Sequence, residues 1–389
     1  MKLAIITTYP PSKGSLNEYA YHLVEGLKTK PEVEEILLLT DFIDGNENLV
    51  REDGRVKIIP TWYFNDLNNL GYIGKKLRQI KPDAVLFNLQ FASFGDGKLS
   101  GGLGLLSPAY AKMLGFPTIV LLHNIMETVD LESAGFGGNP FIKLLMRTAG
   151  TVLTRFILLA DMVALTIPKY VEILQKKYRT SKAVLIPHGT FDDIDFPSME
   201  LPSGPMQIMT FGKFGTYKKV DTLIESFDML QNRDGGQSLE LVIAGTNNPN
   251  APNYLENVAK KYKDIPNIRF TGYVKEEDVP KIFGDAAVVV FPYTSTTGSS
   301  GVLHQAGSFG KAVALPELGD FIELITEEGY TAEVFLPENP ASLAEAIANV
   351  IDYPEKRLAI GKQNYLAARG LPIGEVADWY LLHFNRLLA

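Results

Sequence analysis

The sequence predicts an α/β protein with two domains, each a parallel β-sheet covered by helices on both faces. An apolar strand at residues 1–9 runs into a loop at residues 10–15 and then into a helix. Residues 206–212 repeat this order, with a loop at residues 213–218. Strands and amphipathic helices alternate through both halves, which is typical of parallel sheets. With 389 residues, the chain is long enough for two such domains.

The strands follow one another at regular intervals. In the first half we predict them at residues 3–8, 35–40, 56–59, 84–88, 118–123, 162–166 and 183–187, and in the second half at 207–211, 240–244, 268–271, 288–292, 312–315 and 332–336. Apolar residues at helical spacing predict the first intervening helix: Leu16, Tyr19, Ala20, Leu23, Val24 and Leu27. Right-handed crossovers between parallel strands then make each half a Rossmann-like domain.

The domain boundaries follow from breaks in these patterns. Residues 1–190 form the predicted first domain, and residues 191–205 form a linker rich in aspartate, proline and glycine. Residues 206–373 form the second domain. Residues 374–389 read as one amphipathic helix that we expect to pack back on the first domain.

Composition narrows the range of partners. The net charge is −8, so no global basic field attracts nucleic acid. Cysteine is absent, which excludes thiol catalysis. The chain starts without the pattern of a signal peptide, and its longest apolar stretch, at residues 141–159, is interrupted by Lys143, Arg147 and Arg155. A cytoplasmic location is therefore the default expectation.

Two lysines follow the first strand of the second half. Ligands of open parallel sheets bind at the carboxyl ends of the strands. Lys213 and Lys218 therefore predict a site for an anionic ligand, with a phosphate-bearing small molecule as first candidate. The alternative is an ordinary solvated loop.

A second small-residue segment precedes a predicted helix at about residue 301. Thr297, Gly298, Ser299, Ser300 and Gly301 have small or hydroxylic side chains, so the backbone N–H groups at the helix N-terminus can approach a phosphate closely. The alternative is an ordinary serine-capped helix.

The first half contributes fewer candidates. His123 ends an apolar strand, so we expect it at the ligand site at the carboxyl ends of the strands. The alternative is a structural histidine whose hydrogen bonds are made to the backbone. Gly14 and Ser15 open the first helix, as a ligand loop or as a tight turn. The glycine-rich residues 95–104 suggest a flexible loop on the acceptor side.

Together these motifs resemble the retaining GT-B glycosyltransferases of family 4, the glycosyl transferases group 1. The resemblance covers nearly the whole chain, and the motifs that carry it are Tyr9-Pro10-Pro11-x-x-Gly14, His123, Ile186-Pro187-His188-Gly189, Phe211-Gly212-Lys213 with Lys218, Phe270-Thr271-Gly272-Tyr273-Val274, and Leu318-Gly319-Asp320 with Glu323. The fold class this implies is α/β of the GT-B type, with two Rossmann-like domains facing each other across a cleft.

The resemblance also implies roles. His123 would contact the donor sugar, and Lys213 and Lys218 would hold the diphosphate together with the helix N-terminus at Gly301, Val302 and Leu303. Tyr273 and Val274 would lie along the nucleobase. The family's Glu-x7-Glu pair is missing, because Thr297 and Gln305 stand at its positions. The chain therefore resembles a divergent subgroup in which Gln305 hydrogen-bonds the ribose without charge.

The function this implies is transfer of a hexosyl group from a nucleoside-diphosphate sugar, such as a UDP-sugar or GDP-mannose, to a hydroxyl acceptor. We expect the transfer to retain the anomeric configuration and to need neither a metal nor a cofactor. The expected role is in polysaccharide or glycoconjugate biosynthesis. The acceptor is a glycan, a lipid-linked sugar or a small molecule. Two alternatives stay open: a sugar-nucleotide-binding protein without transfer activity, and an epimerase or phosphorylase of the same fold.

One helix carries a membrane hypothesis. Residues 140–159 mix basic and apolar side chains, so this helix can rest on a membrane and place the protein at the inner face. The competing interpretation is a buried helix with a few snorkelling cations.

Overall fold

A computed structural model describes residues 1–389 except 13, 15, 44–50, 129–139, 192–194, 234–237, 249 and 296–299; it also leaves out the side chains of Lys98, Pro140, Ile142, Lys143 and Asp320. The chain divides into two compact units. The first unit comprises Met1–His188 and Ile373–Ala389, and the second comprises Gly189–Pro372. Within the described residues, no helix has the length and apolar content needed to cross a bilayer.

The first unit contains an eight-stranded sheet. Its strands are β1 (Lys2–Ile6), β2 (Glu35–Asp41), β3 (Arg51–Asp53), β4 (Val56–Trp62), β5 (Ala84–Leu89), β6 (Thr118–Leu122), β7 (Met162–Leu165) and β8 (Ala183–Leu185). They lie in the order β3-β4-β2-β1-β5-β6-β7-β8. The chain thus builds outward from β1 in one direction and then, from β5, in the other. The switch point of the sheet lies between β1 and β5.

Helices connect these strands. They are α1 (Asn17–Lys28), α2 (Asn69–Ile80), α3 (Lys98–Gly104), α4 (Ser107–Met113), α5 (Pro140–Ile157), α6 (Pro168–Tyr178) and, from the end of the chain, α14 (Ile373–Leu388). The central strands β5 and β6 are buried along their full length and β1 is buried from Leu3 onward, as the runs of Ile, Leu and Val predict for a sheet covered on both faces.

The second unit repeats this plan with six strands. They are β9 (Met206–Phe214), β10 (Leu239–Asn247), β11 (Ile268–Gly272), β12 (Ala286–Val290), β13 (Ala312–Pro316) and β14 (Glu333–Phe335), in the order β11-β10-β9-β12-β13-β14. All are parallel, and the switch point lies between β9 and β12. The prediction of two parallel-sheet α/β domains is confirmed.

The helices of the second unit are α7 (Asp221–Gln231), α8 (Tyr254–Lys261), α9 (Val279–Asp285), α10 (Gly301–Ser308), α11 (Gly319–Glu328), α12 (Pro340–Ile351) and α13 (Pro354–Arg369), with a short 3-10 turn at Glu276–Asp278. Two core clusters lie on opposite faces of the sheet. One surrounds Ile243 and Phe227, and the other surrounds Val289 and Phe283.

Two sequence-based expectations for the first unit are wrong. Strand β3 was not predicted, because it consists of the charged tripeptide Arg51-Glu52-Asp53 and lacks an apolar pattern. It pairs with β4 in the antiparallel sense. The glycine-rich residues 95–104 are not a flexible loop, since they contain α3. There glycine serves close packing: a Cβ on Gly104 would lie 2.4 Å from the Phe94 side chain.

The ends of the second unit are packed rather than loose. The predicted linker groups with the second unit, where Phe196 meets the Tyr365 ring edge-on at 5.0 Å. Helix α14 belongs to the first unit. The Lys30 ammonium lies 2.6 Å from the Asp378 carboxylate, and Gly26 of α1 leaves room for the backbone of Ile373.

Candidate functional site

A hydrogen-bonded chain of polar side chains lies at the switch point of the first unit. Thr7 follows β1, Asn88 lies near the end of β5, and His123 directly follows β6. The His123 Nε2 atom is 2.7 Å from Asn88 Oδ1, and Asn88 Nδ2 donates to Thr7 Oγ1 at 3.0 Å. Parallel strands end on the same edge of the sheet, so three distant segments meet here.

The direction of this chain fixes the tautomer of His123. Thr7 Oγ1 donates its proton to the carbonyl of Thr8, so it must accept from the amide nitrogen of Asn88. The Asn88 oxygen then faces His123, whose Nε2 must carry a proton to donate. The lone pair of the neutral imidazole therefore resides on Nδ1, which can accept a hydrogen bond from a hydroxyl.

Burial keeps the imidazole of His123 neutral. The Tyr19 ring lies edge-on between His123 and His188, with centroid distances of 4.7 Å to each. Burial, reinforced by the neighbouring His188 ring, lowers the pKa of His123 to about 3. We call Thr7, Tyr19, Asn88 and His123 the histidine site. It is a neutral group of donors and acceptors near physiological pH.

The loop before α1 is held by its own side chains. Ser12 donates to the Asp41 carboxylate at 2.6 Å and accepts from the Gly14 N–H at 3.2 Å. A Cβ on Gly14 would lie 2.5 Å from Thr8 Cγ2, so packing alone requires glycine there. Its role in binding a ligand remains a prediction.

The corresponding edge of the second unit is built from two glycines. Gly212 and Gly245 have φ angles of +143° and +138°. A Cβ on Gly245 would lie 1.9 Å from the Gly212 carbonyl oxygen, and a Cβ on Gly212 would lie 2.9 Å from Lys218 Nζ. Glycine at residue 212 therefore lets the Lys218 ammonium lie against the backbone at the end of β9.

Lys218 lies among aromatic rings rather than carboxylates. Its Nζ is 4.7 Å from the ring centroid of Tyr293 and 5.9 Å from that of Tyr217. Burial lowers the pKa of Lys218, and Tyr217 opposes this shift. Among the described residues, no carboxylate pairs with this ammonium group. We call Gly212, Tyr217, Lys218 and Tyr293 the lysine site.

Backbone pairing holds the lysine site at the switch point. Lys218 and Tyr293 form an antiparallel bridge, and the Thr294 N–H donates to the Tyr217 carbonyl at 2.8 Å. The Lys219 N–H donates to the Pro292 carbonyl at 3.1 Å. The loop after β9 is thus fastened to the segment after β12, which fixes the position of the ammonium group.

Helix α10 begins close to this site. Its N-cap is Ser300, whose side chain lies near enough to Tyr293 to oppose the burial that raises the pKa of that tyrosine. Gly301 and Val302 are half-buried at its first turn, whereas the Leu303 side chain is buried in the core. A ligand can meet Leu303 only through its backbone. Gln305 is buried too, one and a half turns from the cap.

The remaining predicted residues are placed as follows. Lys213 is exposed near the end of β9. Tyr273 follows β11 and has 79% of its surface exposed, and Val274 packs on the core beside it. The predicted site residues Ser15, Thr297, Gly298 and Ser299 lie outside the described residues.

Comparison with known proteins gives a match in the second unit. Residues 205–353 match the family described as glycosyl transferases group 1. The matched segment lies within the second unit and contains the lysine site, Tyr273 and α10.

Longer similarities extend over both units. The mannosylfructose-phosphate synthase of Agrobacterium fabrum is 23% identical over 252 residues, and the alignment covers 56% of this chain and 56% of that protein. The chain thus spans about half the length of that curated relative. The sucrose-phosphate synthase of Thermosynechococcus elongatus is 17% identical with a TM-score of 0.77, covering 99% of this chain and 98% of the other. HepE of Anabaena, in complex with UDP-glucose, is 15% identical with a TM-score of 0.72, covering 99% and 100%.

These structural similarities establish the fold. The predicted fold class, α/β of the GT-B type, is confirmed. Retention and the interpretation of the missing Glu-x7-Glu pair stay predictions.

Several residues of both sites were missed from sequence. Asn88 is a polar residue near the carboxyl end of an otherwise apolar strand, a signal that was present in the sequence. Tyr19 was assigned only to the buried face of α1. Tyr217 and Tyr293 gave no signal, because an aromatic residue beside a lysine in a loop has no distinctive pattern.

Proposed function

We propose that this protein transfers a hexosyl group from a nucleoside-diphosphate sugar, with a UDP-sugar as first candidate, to a hydroxyl acceptor. The observation that carries this proposal is the Lys218 ammonium. Within the part of the chain that the structure describes, it has no acidic partner, and it lies at the switch point of the sheet in the segment that matches the glycosyl transferases group 1 family. The similar proteins include two sugar-phosphate synthases and a structure in complex with UDP-glucose, which supports the same class of substrate.

The electrostatics of Lys218 favour an anion. A desolvated ammonium that lacks a counter-charge is costly, and its lowered pKa reports that cost. A diphosphate would remove it by forming charge-assisted hydrogen bonds. The tyrosine faces alone offset only part of the desolvation, about 0.5–2 kcal/mol.

The same group suits the chemical step. When the glycosidic bond breaks, negative charge grows on the β-phosphate oxygen. Lys218, the exposed Lys213 and the backbone N–H groups at the start of α10 would stabilise that charge. These cations supply what a metal ion would otherwise supply, so we propose a metal-independent reaction. Retention, with the leaving phosphate assisting the incoming hydroxyl, belongs to the same proposal.

The histidine site suits the neutral part of the donor. A sugar presents hydroxyl groups, and the neutral His123 ring can accept from one of them through Nδ1. Its Nε2–H, held by Asn88, orients the ring. We therefore propose that His123 positions the transferred sugar and does not act as an acid, because its pKa is too low to hold a second proton.

Gln305 leaves a specific alternative open to test. Its buried amide stands where the resembled family has an acidic residue, so Gln305 itself cannot supply charge to a ribose. A protein that binds the nucleotide without transferring the sugar is the competing outcome. The proposal also includes the acceptor, which is a glycan, a lipid-linked sugar or a small molecule, and a role in polysaccharide or glycoconjugate synthesis. It places the protein in the cytoplasm or peripherally at the inner membrane face.

The test is calorimetric binding of UDP, GDP and ADP without added metal, followed by turnover with the matching radiolabelled sugar nucleotide. We expect one nucleoside diphosphate to bind, its nucleoside monophosphate to bind at least about tenfold more weakly, and label to reach an acceptor. Binding without transfer to any of a panel of glycans, sugar phosphates and lipid-linked sugars would favour the non-catalytic alternative. Absence of binding to all three diphosphates would overturn the proposal.

A further inference from the structure

Helix α5 exposes apolar residues where a surface helix normally presents polar ones. Its inner face carries Gly150, Thr154 and Ile157, which are buried. The opposite face carries a stripe of exposed apolar side chains at helical spacing, continued just past the end of the helix: Leu144, Leu145, Val152, Phe156 and Leu159. We call these five residues the apolar stripe. A helix that is apolar on both faces needs a second apolar partner.

The neighbouring helix shows the usual arrangement. Helix α6 buries Tyr170 and Leu174 and exposes Glu172, Gln175 and Lys176. Both helices pack on the same core cluster, α5 through Ile157 and α6 through Leu174, so the core beneath them does not explain the difference. The apolar stripe is a property of the α5 sequence.

A cationic depression lies at the carboxyl end of the apolar stripe. It encloses about 540 Å³ and is lined by Arg155, Lys177, Arg179 and Lys182, together with Leu158, Tyr178 and Thr180. Arg155 lies one turn after Val152 and one turn before Leu159, so the stripe and the depression are continuous. Four cations in one depression contrast with the net charge of −8 for the whole chain.

Two of these cations are already engaged. Lys177 Nζ lies 3.1 Å from the Glu127 carboxylate, and Lys182 Nζ donates to the Ala160 carbonyl at 2.8 Å, beyond the end of α5. Arg155 and Arg179 are exposed, and neither pairs with a carboxylate among the described residues. Two guanidinium groups are thus available for an anion, and their planar forks match phosphate oxygens.

We propose that α5 lies flat on an anionic membrane, with the apolar stripe in the acyl boundary and the cationic depression on lipid phosphates. A bilayer surface offers apolar and phosphate layers side by side, which is the combination found on this face. The stripe is about 22 Å long, from the rise per residue of a helix, and it ends in cations. These features fit a helix that lies in the interface. This proposal does not depend on the proposed transfer activity.

The test is co-sedimentation with vesicles of phosphatidylcholine alone or mixed with phosphatidylglycerol. We expect the full chain to bind the mixed vesicles and to bind the neutral ones at least about tenfold more weakly. The variant Arg155→Glu/Arg179→Glu should lose at least about tenfold of its affinity for the mixed vesicles. The matched control Lys75→Glu/Lys263→Glu changes the net charge equally at two other exposed cations, and it should stay within about twofold of the wild type.

A second variant separates the apolar contribution from the charge. Leu145→Ser/Val152→Ser replaces exposed side chains, so it should keep its melting temperature and still lose vesicle binding. Equal binding by the arginine variant and its control would overturn the proposal. Binding of inorganic phosphate by the wild type in calorimetry, without binding to either kind of vesicle, would also overturn it. The same holds if the wild type is a dimer, Leu145→Ser/Val152→Ser is a monomer and neither protein binds vesicles.

Discussion

The two units place their sites at the same position of the same kind of sheet, yet the sites differ in charge. In the first unit, the switch point between β1 and β5 carries a neutral imidazole bonded to an amide and a hydroxyl. In the second, the switch point between β9 and β12 carries an ammonium against two tyrosine rings. The fold therefore determines the position of each site, and a few side chains determine whether that site is neutral or charged.

Burial lowers the pKa of both key residues, with opposite consequences. His123 loses its proton well below neutral pH and becomes a hydrogen-bonding group without charge. For Lys218, burial lowers the pKa because it desolvates the ammonium group, and among the described residues no carboxylate offsets that cost. One site is thus suited to the uncharged sugar and the other to the diphosphate. The following predictions test this division, from the largest expected effect to the smallest.

The largest effect is expected from Lys218→Ala. Removing the ammonium should weaken UDP binding roughly 30-fold, about 2 kcal/mol, and slow turnover by roughly 10²–10³, because the charge matters most as the phosphate leaves. Calorimetry and initial rates measure the two effects. Lys219→Ala is the matched control, since this neighbour is exposed and its backbone bond to Pro292 is retained. Equal losses in both variants would contradict the assignment.

His123→Ala should affect rate more than nucleotide affinity. We expect turnover to fall about 100-fold and the dissociation constant for UDP to stay within about twofold, because the contact that we propose for His123 is with the sugar and not with the phosphates. His383→Ala, at a half-buried histidine of α14, is the control and should change neither. A loss of UDP binding in His123→Ala would break the division between the two sites.

Asn88→Asp sharpens the role of His123. A carboxylate facing Nε2 stabilises the imidazolium, so the pKa of His123 should rise from its low value of about 3. If the neutral ring is required, activity should be near that of the wild type at alkaline pH and should fall as pH drops below the raised pKa. The pH profile of kcat/KM measures this, and an unchanged acid limb would show that the imidazole charge is irrelevant.

The sequence predicted every strand of both sheets except β3, because alternating strands and helices leave strong apolar patterns. Lys213, Lys218 and His123 were named as site candidates from their positions just after predicted strands, and their roles stay predictions. The sequence did not predict the chain from His123 to Asn88 and Thr7, since strand order decides which strand ends are neighbours. The tyrosines around Lys218 were missed for a similar reason: an antiparallel bridge between two loops brings Tyr293 to Lys218.

Gly212→Ala tests the geometry of the lysine site without removing its charge. The residue has φ of +143°, and a Cβ would meet Lys218 Nζ at 2.9 Å. The ammonium must then move, and we expect about tenfold weaker UDP binding, measured by calorimetry. Gly284→Ala is the control, because a Cβ there meets no atom within 4 Å. Unchanged affinity in Gly212→Ala would mean that the position of Lys218 is not important.

The smallest effect concerns stability, where the two units should respond to pH in opposite directions. In the second unit, burial raises the pKa of Glu328 to about 8, and its Oε2 atom lies 3.6 Å from His304 Nδ1. Between the ordinary pKa of a glutamate and pH 8, the folded state binds more protons than the unfolded state, so stability falls as pH rises. His123 in the first unit acts inversely. Its folded pKa of about 3 lies below that of the unfolded chain, so stability falls as pH drops from about 6.5 towards 3.

Glu328→Gln removes only the alkaline part of this response. The amide has the same shape and does not ionise, so the variant should gain at least about 2 kcal/mol over the wild type at pH 8 and no more than about 1 kcal/mol at pH 5. In melting temperature this is a few degrees, about 2–4 °C per kcal/mol for a domain of this size. Melting curves at both pH values measure it. An equal shift at pH 5 and pH 8 would show that packing, and not the buried carboxyl proton, sets the difference between the two units.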